Sequence, residues 1–203
     1  EMEQFAYVAS HDLQEPLRTI RSYSGLLNRR FNDQLGADGQ QFLNFIGDAS
    51  LRMSNLIKGL LEYSQIGSDR RVSTVDCNVL LQEILQDLNS SISKNQAKIK
   101  VNHLPTLQGY KVELRQLFQN LISNAIKFHK PGEEPVIEIH ATEKQNYWQF
   151  SVKDNGIGID PKYQSKIFTI FQRLHGSNDY EGTGIGLAQC KKIVEMHHGQ
   201  IWL

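Results

Sequence analysis

These 203 residues read as an α+β chain in two parts, an N-terminal helical hairpin forming a dimeric four-helix bundle and then an α/β sandwich. Two heptad seams in residues 1–65 carry the first expectation. A change of character near residue 72, with helical and period-two segments alternating after it, carries the second.

Leu13, Leu17, Ile20, Ser24, Leu27 and Phe31 follow one another at steps of four, three, four, three and four. That is an a/d seam with one polar interruption, on one long helix over residues 1 to about 31. Pro16 removes a backbone bond inside it and is expected to kink or loosen the helix. His11 falls just outside the seam, beside Asp12. A lone histidine is more often a satisfied core residue, but this register argues against that. A neutral imidazole with an ordinary pKa of about 6.5 is a competent nucleophile near pH 7, and a neighbouring carboxylate can hold its tautomer. His11 and Asp12 are therefore the candidate catalytic pair.

Residues 32–39 are a turn-rich connection. A second seam follows in Phe42, Ile46, Ala49, Met53, Leu56, Leu60 and Tyr63. Further apolar residues such as Phe5, Val8, Leu26, Phe45, Ile57 and Leu61 lie off both seams. A hairpin of about 65 residues is thin for independent stability. Pairing two hairpins in a homodimer buries those positions, whereas the alternative packs one hairpin on the rest of its own chain.

The expected division is residues 1–67, a linker 68–75 and a second domain 76–203. Val72 to Val75 reads as a short strand, and Asp76 caps a helix to about Ser93. Lys98 to His103 reads as a strand and Lys111 to His129 as a helix. Val136 to Ala141 and Tyr147 to Val152 alternate as half-buried strands. A helix from about Gly184 to His197 and the start of a strand at 200–203 complete the series.

Composition excludes several classes. Twenty-two basic and 22 acidic residues give a formal net charge of zero, so no basic excess points to nucleic acid. No apolar run approaches the ~18 residues of a membrane span, so no membrane contact is expected. There is no signal-peptide pattern, and Glu1 without an initiator Met is expected to begin a fragment. Cys77 and Cys190 lie outside any metal-ligand spacing and read as reduced, packed thiols of a cytoplasmic protein.

Four segments of the second part carry chemistry. Asn120 and Asn124 share a helical face, with Lys127 one turn on. Asn is a mediocre helix former, so the pair needs a reason. Either the side chains bond a neighbouring loop, or they supply an oxygen for Mg²⁺ and an amide and ammonium for phosphates. In Asp154-Asn155-Gly156-Ile157-Gly158 the glycines let backbone approach a planar ligand, and Asp154 can accept from an exocyclic amine. A calcium loop fails there, because Gly156 stands where an oxygen ligand is needed. Gly182-Thr183-Gly184-Ile185-Gly186 opens a helix, whose first N–H groups suit phosphate. It is neither the dinucleotide fingerprint nor a Walker loop. Between the glycine clusters, about Pro161 to Glu181, a long segment with Phe168, Phe171, Arg173 and His175 has the length of a functional lid.

The order His11-Asp12…Pro16, Asn120…Asn124…Lys127, Asp154-x-Gly156-x-Gly158, Phe168-x-x-Phe171, Gly182-x-Gly184-x-Gly186 resembles the H, N, G1, F and G2 boxes of the sensor histidine kinases of two-component signalling. The resemblance covers essentially the whole chain. The wording around His11 and in Phe171 to His175 is similar to the branch downstream of phytochrome and PAS-type sensors.

The resemblance implies a dimerisation and phosphoacceptor bundle followed by a Bergerat-type ATP-binding domain, with ATP and Mg²⁺ as cofactors. It implies that Asp154 binds adenine, Asn124 coordinates Mg²⁺, and Asn120 and Lys127 serve the phosphates. Gly182, Thr183, Gly184 and Gly186 would close over the triphosphate, Phe168 and Phe171 would brace the lid, and Arg173 is a further phosphate candidate. His11 would attack the γ-phosphate with help from Asp12, and a response-regulator receiver domain would take the phosphoryl group. An upstream sensor domain, absent from this chain, would control it. Two departures matter. Glu15 stands where many relatives have Thr or Asn, so weak phosphatase activity is expected. Relatives also continue beyond the position of Leu203 into a last strand, so an unpaired sheet edge and lower stability are expected. A gyrase- or Hsp90-like clamp would need a glutamate base near Asn120, and a non-catalytic scaffold would lack some of these polar residues.

Overall fold

The computed structural model describes residues 2–32, 34–68, 71–174, 180 and 182–203, with the side chains of residues 2–9 and of His11 outside that description. The chain divides into two compact units, Glu1–Gln65 and Ile66–Leu203.

The first unit is a hairpin of α1 (Met2–Phe31) and α2 (Gly36–Gln65). Helix α1 runs uninterrupted through Pro16. The connection is shorter than the turn-rich stretch 32–39 suggests. Gln34 and Leu35 N–H groups both donate to the Phe31 carbonyl, at 2.9 and 3.0 Å, and α2 begins at Gly36. The α1 seam resolves into two lines. Ser10, Leu17 and Ser24, seven apart, are buried, while Leu13, Ile20 and Leu27, also seven apart, are exposed. On α2, Ser50 and Gly59 are buried, and Phe42, Ile46, Met53 and Leu60 are exposed. The buried positions are thus mostly small residues around Leu17, and most large apolar residues of the two seams stay exposed.

The second unit carries two sheets. β1 (Ser73–Asp76) pairs antiparallel with β3 (Thr106–Gly109). β2 (Lys98–Val101) pairs parallel with β4 (Val136–Glu143), which pairs antiparallel with β5 (Trp148–Asp154). The helices are α3 (Cys77–Asp87), α4 (Asn89–Asn95), α5 (Lys111–Lys127) and α6 (Gly186–Met196). Leu80 and Ile84 of α3, Phe118, Ile122 and Ile126 of α5, Ile137 and Ile139 of β4, and Ile193 of α6 form the buried core.

Asp76 caps α3 as its sequence predicts, accepting from the N–H groups of Asn78 and Val79. Two expectations are corrected and one strand is new. The single helix to Ser93 breaks at Leu88, where Asn89-Ser90-Ser91 offer poor helix formers, and α4 restarts separately. Strand β3 was not anticipated, because Thr106 to Gly109 is too short to show a period. Residues 200–203 form no strand.

Candidate functional site

Helix α5 organises the site. Its last turn presents Asn124 and Lys127, and the two residues after it, Phe128 and His129, hold the loops around it. Gly156 N–H donates to Asp154 Oδ1 at 2.8 Å, and Ile157 N–H donates to the Phe128 carbonyl at 2.9 Å. A Cβ on Gly156 would meet that carbonyl oxygen at 2.5 Å and Asp154 Oδ1 at 2.7 Å, so only glycine fits. Asp154 itself lies at the end of β5, opposite Ile137 and exposed. Asn155 fastens the loop from the other side, accepting from Val136 N–H at 2.8 Å and donating to the Glu134 carbonyl at 3.1 Å.

The glycine-rich segment reaches the same place. A Cβ on Gly182 would stand 3.1 Å from Lys127 Nζ. Gly184, at φ +73°, packs on the backbone of Phe171 and Gln172, where a Cβ would come within 2.9 Å. Tyr180 packs its ring on Phe128 at 5.0 Å and donates its hydroxyl to the His129 carbonyl at 3.2 Å. Lys127 Nζ sits 4.1 Å from the centre of the Phe128 ring.

The polar residues divide in role. Asn120, half-buried, donates to Gln189 Oε1 at 3.0 Å and to the Gly186 carbonyl at 3.4 Å, holding the first turn of α6. Among the described residues the Asn124 side chain has no hydrogen-bond partner. Arg173 donates to the Tyr180 carbonyl at 2.8 Å. Phe168 is half-buried, and Phe171, at φ +65°, leaves its ring exposed. Thr183 is half-buried and Gly158 exposed, at φ +71°. Asp12 is exposed on α1. The orientation of His11 and the expectation for residues 175–179 lie outside the described residues.

Cys190 lies under α5, where burial pushes its thiol up to about 12. Asp160 is held below the usual carboxylate range by the Lys162 side chain. Among the described residues no group of three His, Cys, Asp or Glu side chains is arranged to hold a metal ion. A separate groove between α3, α4 and β2 shares no residue with this cluster.

Spacing within the sequence led to Asn120, Asn124, Lys127 and both glycine clusters. It missed Phe128, Tyr180 and Gln189. Phe128 had a signal in its place directly after Lys127, whereas Tyr180 and Gln189 had none.

Two family models match the chain. The His Kinase A (phospho-acceptor) domain matches residues 1–69. The histidine kinase-, DNA gyrase B- and HSP90-like ATPase matches residues 109–203. The chain is 46% identical over its whole length to cyanobacterial phytochrome A of Nostoc sp., of which it covers 26%. It spans about a quarter of the length of the curated relatives it matches. Its fold is similar to that of full-length ShkA in complex with AMPPNP, with a TM-score of 0.66 and 22% identity over 95% of this chain and 40% of that one. It is similar as well to histidine kinase ThkA in complex with response regulator protein TrrA, with a TM-score of 0.63 and 24% identity over 98% of this chain and 56% of that one.

Proposed function

Since this chain belongs to the sensor histidine kinases, we propose that it moves the γ-phosphoryl group of ATP to its own His11 and then to a response-regulator aspartate. The observation that supports this reading best is the convergence of two segments on the end of α5. The Asp154 loop and the Gly182–Gly186 segment meet there around Lys127, Phe128 and His129.

In this reading Asp154 accepts from the adenine amine, and Gly156 and Gly158 admit the base edge-on. Lys127 neutralises phosphate charge beside Gly182, while Thr183, Gly184 and Gly186 supply backbone to the triphosphate. Phe168, Phe171 and Arg173 shape the segment that leads there. Asn120 acts on the phosphates through the first turn of α6, which it holds. Asn124, with an amide oxygen left over from internal bonding, suits Mg²⁺, which takes few protein ligands beside phosphate and water. That ion would draw off charge developing on the phosphate oxygens.

His11 attacks the γ-phosphorus, the bond to the β-phosphate oxygen breaks and ADP leaves. Asp12 orients the imidazole and eases loss of its proton. The phosphoryl group then passes to the receiver carboxylate and His11 is regenerated. Positioning and charge neutralisation are the main demands of such a transfer.

The chain acts as a homodimer in this reading. The exposed line Leu13, Ile20 and Leu27 on α1, with Ile46, Met53 and Leu60 on α2, supplies the apolar faces of a four-helix bundle. No helix among the described residues is long and apolar enough to cross a membrane, and cytoplasmic placement goes with the proposal.

The test is incubation with Mg²⁺ and γ-labelled ATP beside His11→Gln. An acid-labile, alkali-stable label on the parent and none on the variant is expected. Label on both, or ATP bound without label on either, overturns the reading.

A further inference from the structure

One side chain next to Asp154 has no role in the chemistry proposed above. Strands β4 and β5 pair as far as Ile137 and Asp154, so Val136 and Asn155 are the next positions in that register. At Asn155 the side chain takes the place of the backbone ladder. Its Oδ1 accepts from Val136 N–H at 2.8 Å, and its Nδ2 donates to the Glu134 carbonyl at 3.1 Å. A backbone N–H can only donate and a carbonyl can only accept. The two bonds therefore need one acceptor and one donor on the same short side chain, which the Asn amide has and a carboxylate lacks.

The clamp lets the backbone turn where Asp154 has to face a ligand. Asp154 Oδ1 accepts from Gly156 N–H at 2.8 Å. Among the described residues Asp154 Oδ2 has no partner, so it is the oxygen left to accept from an exocyclic amine. A single acceptor must be aimed, because hydrogen bonds weaken steeply with angle. Beyond Gly156 the loop is held a second time, by Ile157 N–H on the Phe128 carbonyl at 2.9 Å. Loss of the Asn155 clamp leaves that bond and the Ile137–Asp154 pairing in place. The loop stays docked on α5, and the carboxylate loses its aim.

Resting on the function proposed above, we infer that Asn155 is a positioning residue that aims Asp154 and so sets the preference for adenine over a purine with an oxygen in place of the amine. Asn155 touches no substrate in this arrangement. The amine donates to the Asp154 carboxylate, whereas an oxygen at the same place would face it as a second acceptor. A site built around such a bond rejects the analogue that lacks the donor.

The test uses the whole chain as the parent, as Asn155→Ala, as Asp154→Ala and as the double variant. Equilibrium affinities are measured for Mg-ATP and for Mg-inosine triphosphate, which carries oxygen where ATP carries the amine. Hydrogen exchange is followed at the Val136 amide. In Asn155→Ala the preference for ATP is expected to fall about tenfold, mainly through weaker ATP binding, and Val136 exchange to rise about tenfold. In the Asp154→Ala background the same substitution is expected to change the preference by less than about twofold, because no carboxylate remains to be aimed. A preference unchanged by Asn155→Ala, both nucleotides weakened in parallel, unchanged Val136 exchange, or full additivity in the double variant each overturns the inference. So does an Asn155→Ala chain that no longer melts cooperatively, since the clamp would then hold the fold and not the carboxylate. A parent that binds both nucleotides alike overturns the reading of Asp154 as the adenine contact, and this inference falls with it. A parent that discriminates, with Asn155→Ala discriminating equally, overturns the inference alone.

Discussion

Gly156 and Phe128 touch through backbone alone: any Cβ on Gly156 would fall 2.5 Å from the Phe128 carbonyl oxygen. The loop carrying Asp154 is therefore held against the end of α5 at a distance no other residue permits.

Gly156→Ala must push that loop away from Phe128. A stability loss of about 1–3 kcal/mol is expected, as for other overpacked sites, together with at least a tenfold weaker affinity for ATP. Thermal melts and equilibrium nucleotide binding read the two effects. Unchanged affinity would show that Asp154 does not meet the base from this loop.

Asn120→Ala removes a donor from the buried Gln189 Oε1 and loosens the first turn of α6. A cost of about 1–3 kcal/mol is expected for that lost partner. Asn120→Asp keeps an oxygen but no donor, so it should be at least as destabilised. Denaturant melts of the two variants, compared with the parent, settle the order.

The outward line of α1 invites a substitution at its middle. Ile20→Glu puts a charge where the four-helix bundle would bury it. A shift from dimer to monomer in sedimentation is expected, with nucleotide affinity retained in the second unit. A dimer that survives the change would refute the assignment of this face.

The buried thiols set an upper pH edge. Burial raises Cys77 from 9.0 to about 11 and Cys190 from 9.0 to about 12. Above pH 9 the unfolded chain sheds thiol protons that the folded chain keeps, so the folded state loses ground as pH rises. The contribution is full below pH 9 and falls across the window from 9 to about 11 for Cys77. Urea midpoints between those values should decline less steeply in Cys77→Ala and Cys190→Ala than in the parent. Parallel slopes in all three chains would remove the thiols as the cause.

Much of this architecture was legible because its signals are local. The heptad steps in α1 and α2 and the alternation in β4 and β5 each declare an element within a few residues. Asp76 shows its capping role by standing directly before an apolar helical run. What escaped depends on contacts distant in sequence. Strand β3 exists because Thr106 to Gly109 finds β1, and no four-residue stretch announces its partner. The seam of α1 gave one stripe, whereas folding splits it into a buried line through Leu17 and an exposed one through Ile20. At the site, the motif residues were readable from spacing, but the bonds of Asn120 to Gln189 and of Tyr180 to His129 reach across 69 and 51 residues.

Those long separations have a bearing on the order in which the molecule assembles. The Tyr180 hydroxyl closes a loop of 51 residues and the His197 ring one of 87. Contacts of such span form only after their closure entropy has been met, so they belong to the late stages of folding. The hairpin of α1 and α2, joined by a tight turn, has no such delay. A chain emerging from the ribosome would present α1 well before Tyr180 and His197 reach their partners.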